Sequence, residues 1–330
     1  MTTSYLKRSN NRLDIINSMD LNDYLIKFDK LRVDKRSSVI RPHKPSMLLA
    51  VIGLAEAGGL KENKIKFLPP LLDRYIKIFE IVRDSSSHPN PYFPFFHLKS
   101  DKFWHLRALA GRESVLENMD SARSYSKITA NIEHAYLDTD LFSLLQVPES
   151  RSILKAHLIA RWFYEFRNKI ESLSSENAYE KKLRDAVELG VAEEPNVLYK
   201  KTARSVVFRR IVIEAYDYRC AASGKRIILT NDIVMVEAAH LIPFSKNQND
   251  DPRNGMALTP DFHWALDKNI IAPGPDYKWH VSKHIDNRIA DNKPLSDLNG
   301  RKVILPKDKR YWPDKVSLEE RFDMMKSGER

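Results

Sequence analysis

Between Glu237 and Asp267 the chain reads EAAHLIPFSKNQNDDPRNGMALTPDFHWALD. Three side chains in it have the types and spacing to do chemistry together. Asn254 follows His240 by fourteen positions, and His263 follows Asn254 by nine. Asp267 lies four beyond His263, so a helix would put both on one face, where they could reach one cation. Thr259 suits the N-cap of that helix, and Pro260 its first turn, where a missing N–H does no harm. The alternative is that both histidines are ordinary packed residues. Asn254-Gly255 is also a common turn dipeptide.

The preceding runs Ile227–Leu229 and Ile233–Val236 are short and mostly β-branched, as in a hairpin. Strand, strand, helix with His–Asn–His resembles the HNH nucleases of the ββα-metal fold. The resemblance covers roughly residues 203–285 and is carried by Glu237-Ala-Ala-His240-Leu-Ile-Pro243, Asn254-Gly-Met-Ala-Leu258 and His263-Trp-Ala-Leu-Asp267. It implies catalytic roles for His240, Asn254 and His263, with His263 and Asp267 holding a divalent metal. His240 would take a proton from water, since an imidazole titrates near working pH. The metal would neutralise charge growing on the phosphorane and the leaving 3′ oxygen. Asn254 would brace the loop or orient His240. Mg²⁺ or Mn²⁺ fits best, with Ni²⁺, Co²⁺ or Zn²⁺ able to serve in vitro. Many such enzymes carry Asp or His before the first histidine as a ligand; here Ala239 stands there. Glu237 is either a substitute ligand or a hairpin brace. Trp264 and Leu266 are expected in the core, and His280 and His284 are read as structural.

The elements that must position these residues belong to a chain of 330 residues, which fits two domains better than one. Apolar residues make up 42% and charged residues 30%, a globular balance. No apolar run approaches the roughly 20 residues that cross a bilayer, and the N-terminus lacks a signal-peptide stretch. The single cysteine, Cys220, excludes an internal disulfide framework and a multi-cysteine zinc site. A cytoplasmic setting is expected. The net charge of +10, from 54 Lys+Arg against 44 Asp+Glu, favours a polyanion such as nucleic acid. Basic residues concentrate over Ile26–Pro45 and in KKTARSVVFRR, Lys200–Arg210.

Apolar spacing predicts helices over 20–33, from Pro45 to the Gly58-Gly59 stop, and over 70–82, 141–147, 151–171 and 203–217. The second is apolar so far round that it must be buried. Pro89, Pro91 and Pro94 argue against a helix in NPYFPFFHLKSDKFWHL, which leads into a strand. The polar Ser- and Glu-rich stretch near 171–194 reads as a connection. The expected class is α+β: a mainly helical N-terminal DNA-reading domain (1–170), a linker (171–200), and a ββα-metal (HNH) nuclease domain (201–330).

Two stretches stand out in the first domain: Arg41-Pro-His-Lys-Pro45 and Tyr92-Phe-Pro-Phe-Phe-His-Leu98 followed by Asp101 to Trp104. With LDTDLFSLLQVPESRSILKAHLIARWF (Leu137–Phe163), they resemble the sulfur-binding domain of phosphorothioate-dependent (type IV) restriction endonucleases, over roughly residues 20–165. Phe93 and Pro94 resemble that family's sulfur-cavity pair, though Tyr often stands where this chain has Phe93. His43 and Lys44 resemble its basic pair, and His97 is a further contact. Phe95, Phe96 and Trp104 read as core. A phosphorothioate sulfur is softer and less strongly hydrated than the oxygen it replaces, so an apolar concavity favours it. The implied partner is double-stranded DNA carrying phosphorothioates, with a possible homodimer to cut both strands. Alternatives are an HNH endonuclease specific for modified cytosine or non-specific, and a DNA-binding regulator with an inactive nuclease fold.

Overall fold

The structure is a computed structural model, and it describes residues 21–33, 42–83, 87–191, 201–229 and 233–328. Lys35, Arg36, Arg41 and Lys200 of the two basic stretches lie outside the described residues. The chain divides into two compact units at Asn177/Ala178. Among the described residues, no helix is long and apolar enough to cross a membrane.

In the first unit, α1 (residues 21–29) buries Tyr24 and Phe28, with Leu31 just beyond it. Helix α2 (His43–Glu56) is covered on nearly every side, as its apolar sequence requires: Met47 through Leu54 are all buried. It starts two residues earlier than expected. Pro45 then sits in the first turn, where its missing N–H has no partner to lose. Gly58, at φ +71°, stops the helix in the left-handed region. Helix α3 (Pro69–Val82) begins on a proline pair and packs an apolar face inward.

The proline-containing segment is not a loop. Helix α4 spans Tyr92–His97, with Pro91 as its N-cap residue and Pro94 in its first turn. Prolines break helices by removing a donor that an earlier carbonyl needs; in the first turn no such carbonyl exists. Strands β1 (Trp104–Ala108) and β2 (Ile132–Leu137) then pair antiparallel. Helices α5 (Thr139–Gln146) and α6 (Pro148–Trp162) close the core, and Phe95, Phe96 and Trp104 lie inside it as expected.

The polar 171–194 stretch forms helix α7 (Ser174–Leu189). In the second unit its Tyr179 and Leu183 pack against Val207 and Ile211 of α8 (Lys201–Ala215). Glu180 is fully buried and pairs with Arg184 and with Arg210 of α8. So α7 owes its place to an apolar stripe and an internal ion network that its composition hides. Two arginines of the second basic stretch, Arg204 and Arg210, turn inward instead of facing solvent.

The runs at 227–229 and 233–236 do approach each other, through one bridge between Ile228 and Val234. The pair that frames the histidines is a different one. Strand β3 (Glu237–His240) pairs antiparallel with β4 (Gly255–Leu258), His240 opposite Gly255 and Glu237 opposite Leu258. Helix α9 (Pro260–Asp267) follows from Thr259 with Pro260 at its first position, as predicted. Strands β5 (Ile271–Pro273) and β6 (Trp279–Val281) form a last hairpin, on which α10 (Lys315–Ser327) packs.

Candidate functional site

The loop between β3 and β4 carries His240 at one end and Asn254 at the other, and Asn254 is the brace that closes it. Asn254 is fully buried. Its Oδ1 accepts the Ile242 N–H at 2.9 Å, and its Nδ2 donates to the Ile242 and Asn249 carbonyls at 3.1 Å each. Its own carbonyl accepts the Leu241 N–H at 2.9 Å. One amide thus satisfies three buried backbone groups that the irregular loop would otherwise strand. Only a side chain with a donor and an acceptor side by side can do so, which is why Asn stands here.

Asn254-Gly255 is not a turn. Gly255 is buried in extended backbone at φ −131°, against α8. A Cβ there would sit 2.6 Å from Val212 Cγ2 and 2.7 Å from Phe208 Cζ. Gly255→Ala should therefore cost about 1–3 kcal/mol by overpacking, and should push Phe208 off its neighbours. Thermal unfolding checks this; an unshifted midpoint would refute the close approach.

His240 is held at Nε2 and on one ring face. Nε2 lies 3.4 Å from Asp250 Oδ1, and Phe208 stacks on the ring at 3.8 Å between centroids with 5° between planes. His263, on α9, is held from the other nitrogen. Its Nδ1 lies 2.7 Å from Glu237 Oε2, and its Nε2 faces Asp267 Oδ2 at 3.6 Å. The Glu237 carboxylate accepts His263 Nδ1–H and leaves the Nε2 lone pair toward Asp267, as outer carboxylates do for metal-bound histidines. Burial holds the Arg321 guanidinium of α10 below its ordinary value, an effect the Asp267 carboxylate offsets only in part. No hydrogen bond or ion pair joins His240 to His263, and among the described residues no group of three His, Cys, Asp or Glu side chains could hold a metal ion. His263 and Asp267 could face one cation together, with waters and substrate phosphate oxygens at its remaining positions. Trp264 was expected in the core; it is 55% exposed, next to His263 and on the outer face of α9, while Leu266 is buried.

In the first unit, His43 Nδ1 and the Tyr75 hydroxyl lie 2.7 Å apart, and the His43 ring stacks on Phe79. Burial pushes the Tyr75 phenol well above its ordinary value, so it stays protonated. When its O–H donates to Nδ1, the His43 ring carries its proton on Nε2. Lys44 is buried, and its ammonium ion-pairs with Asp101 and donates to Ser100 Oγ at 3.0 Å. The structure thus gives Lys44 a bracing role between α2 and the segment after α4. Lys44→Ala should cost about 3 kcal/mol by leaving the Asp101 carboxylate buried without its cation. Urea unfolding reads this; a wild-type midpoint would contradict it.

Phe93 is half-buried and Pro94 buried on α4, and Phe93 stacks with His97 at 6.1 Å between centroids. His97 is held below the usual imidazole range by burial first, then by Lys44 and Lys99. Phe93, His97 and Lys44 are therefore neighbours, and a neutral His97 ring keeps that corner weakly polar. Asp250, Arg204 and Phe208 were not singled out by sequence reasoning. Asp250 sits in the run NQNDD, and only the fold shows which of its polar residues points inward.

Family models match a stretch in each part of the chain. A family model described as "HNH endonuclease" matches residues 220–272, and one described as "ScoMcrA-like, DNA sulfur-binding domain" matches residues 21–171. Solved structures similar to the chain include the sulfur binding domain and SRA domain of ScoMcrA complexed with phosphorothioated DNA, at 23% identity over 43% of each chain with a TM-score of 0.35. The chain thus spans less than half the length of that protein. Another is the sulfur binding domain of SprMcrA complexed with phosphorothioated DNA, at 16% identity over 49% of this chain and 95% of that one, TM-score 0.35. A third is the type IV phosphorothioation-dependent restriction endonuclease ScoMcrA, at 10% identity over 92% of this chain and 99% of that one, TM-score 0.35. No curated protein matches the chain. The chain carries a ScoMcrA-like DNA sulfur-binding domain followed by an HNH endonuclease domain.

Proposed function

We propose that the chain is a modification-dependent DNA endonuclease that captures phosphorothioate-bearing duplex through its first domain and hydrolyses phosphodiester bonds nearby with its second. The observation that carries this reading is one chain joining a sulfur-binding domain to an HNH domain in which His240 and His263 are each held by a carboxylate. His240 takes a proton from water as the water oxygen bonds to phosphorus and the bond to the 3′ oxygen breaks. The leaving oxygen takes a proton from solvent. His263 and Asp267 would hold a divalent cation, Mg²⁺ or Mn²⁺, which supplies charge neutralisation on the phosphate when bound. Asn254 keeps the loop that carries His240. His43 donates to the backbone near the modification, and the partly exposed Phe93 ring, backed by the buried Pro94, offers sulfur an apolar surface that a well-hydrated oxygen disfavours.

One HNH site cuts one strand, so a double-strand break takes two copies, as a homodimer or by two binding events. The test compares plasmid from hosts with and without the sulfur modification, incubated with the protein and Mg²⁺ or Mn²⁺. Cutting of the modified plasmid alone is expected, and EDTA should stop it. Equal cutting of both would reject the sulfur reader and leave a non-specific nuclease. No cutting of either, with retained DNA binding, would favour a regulator. Phe93→Ala should weaken binding to modified duplex by about tenfold, the scale of losing one aromatic–sulfur contact, and leave binding to unmodified duplex unchanged.

A further inference from the structure

We infer that Asp250 is the positioning residue for His240, and that His240 acts through Nδ1. This rests on the nuclease reading above and adds a residue and an atom to it. The distance from His240 Nε2 to Asp250 Oδ1, 3.4 Å, is longer than a full hydrogen bond. Catalytic contacts commonly sit at such distances before substrate tightens them.

The surroundings mark the pair as built. Asp250 is 6% exposed, and a buried carboxylate needs partners for each oxygen. Its Oδ2 is taken by Arg204 Nε and the Tyr179 hydroxyl, each at 3.3 Å. That leaves Oδ1, and Oδ1 is the oxygen that faces His240. Arg204 and Phe208 lie one turn apart on α8, so the helix that anchors the carboxylate also supplies the ring under the imidazole. With its plane set by Phe208 and Nε2 set by Asp250, His240 can offer only Nδ1 to water.

A carboxylate accepting Nε2–H fixes the tautomer whose Nδ1 lone pair is bare, and it stabilises the imidazolium once the proton has moved. Asp250 itself touches no substrate. The two histidines are thus held by opposite nitrogens: His263 at Nδ1 for ligation through Nε2, His240 at Nε2 for proton transfer through Nδ1.

The experiment uses the full chain, phosphorothioate-bearing plasmid and Mg²⁺. Asp250→Asn should lower kcat by about 100-fold with KM and DNA affinity within about twofold, since the loss falls on the tautomer and not on binding. Asp250→Glu should recover part of kcat. Nδ1-methylhistidine in place of His240 should abolish cutting while leaving Asp250, Arg204 and Tyr179 untouched, so it decides the matter even if Asp250→Asn folds poorly. Cutting by the methylated protein, or a wild-type kcat in a folded Asp250→Asn, would overturn the inference. A His240→Ala variant that still cuts would instead sink the nuclease reading itself, and the two failures are thereby told apart.

Discussion

His240→Ala abolishes plasmid cutting while the protein still binds phosphorothioate duplex: this is the expected result with the largest effect. Removing a general base costs on the order of 10³-fold. The truncation also empties the space between Phe208 and Asp250, but it leaves the β3–β4 pairing and the Asn254 brace in place, because His240 contributes to neither through its side chain. Losing the Phe208 stack and stranding Asp250 Oδ1 should still cost about 1–2 kcal/mol, so the protein melts a few degrees below wild type but stays folded. Nicking assays with supercoiled plasmid, beside a gel-shift titration on a short modified duplex, separate chemistry from capture. Undiminished nicking would remove His240 from the mechanism.

Asn254→Ala should act through structure first. It leaves the Ile242 N–H and the Ile242 and Asn249 carbonyls without their partner in a buried loop, a loss of about 3 kcal/mol at typical costs for stranded polar groups. The β3–β4 loop would loosen, Asp250 would leave its place beside His240, and cutting should fall together with stability. Asn254→Asp is the sharper variant. It keeps the acceptor for Ile242 N–H but turns a donor to two carbonyls into a second acceptor, so it should destabilise the protein by at least as much as alanine. A cutting-deficient Asn254→Asp with wild-type unfolding would show that the side chain acts on substrate rather than on the loop.

These two predictions depend on features that were unequally legible in the sequence. Helix α2 was readable because nearly every position is apolar and glycine follows; α9 was readable because Thr259-Pro260 announces a helix start. The His263–Asp267 pair came from helical spacing alone. Helix α4 was misread because proline was weighed by its presence and not by its position in the turn. The framing hairpin was misplaced by one pair of strands, since EAAH and GMAL carry little β-branched signal and are set by pairing across the loop. Trp264 was assigned to the core by residue type, yet on the short α9 the adjacent position already faces outward. Lys44 and Arg204 looked like surface charge because their carboxylates, Asp101 and Asp250, lie 57 and 46 positions away. Long-range ion pairs leave no local pattern to read.

Helix α8 has one more implication. Arg204 reaches Asp250, Phe208 underlies His240, and Val212 meets Gly255, each a turn after the last. The helix works as a keel under the loop, so tolerance to substitution along it should rise and fall with the helical repeat of about 3.6 residues. In a saturation library selected for cutting, positions 204, 208 and 212 should accept almost nothing, while the outward-facing Ser205 and Arg209 should accept nearly everything.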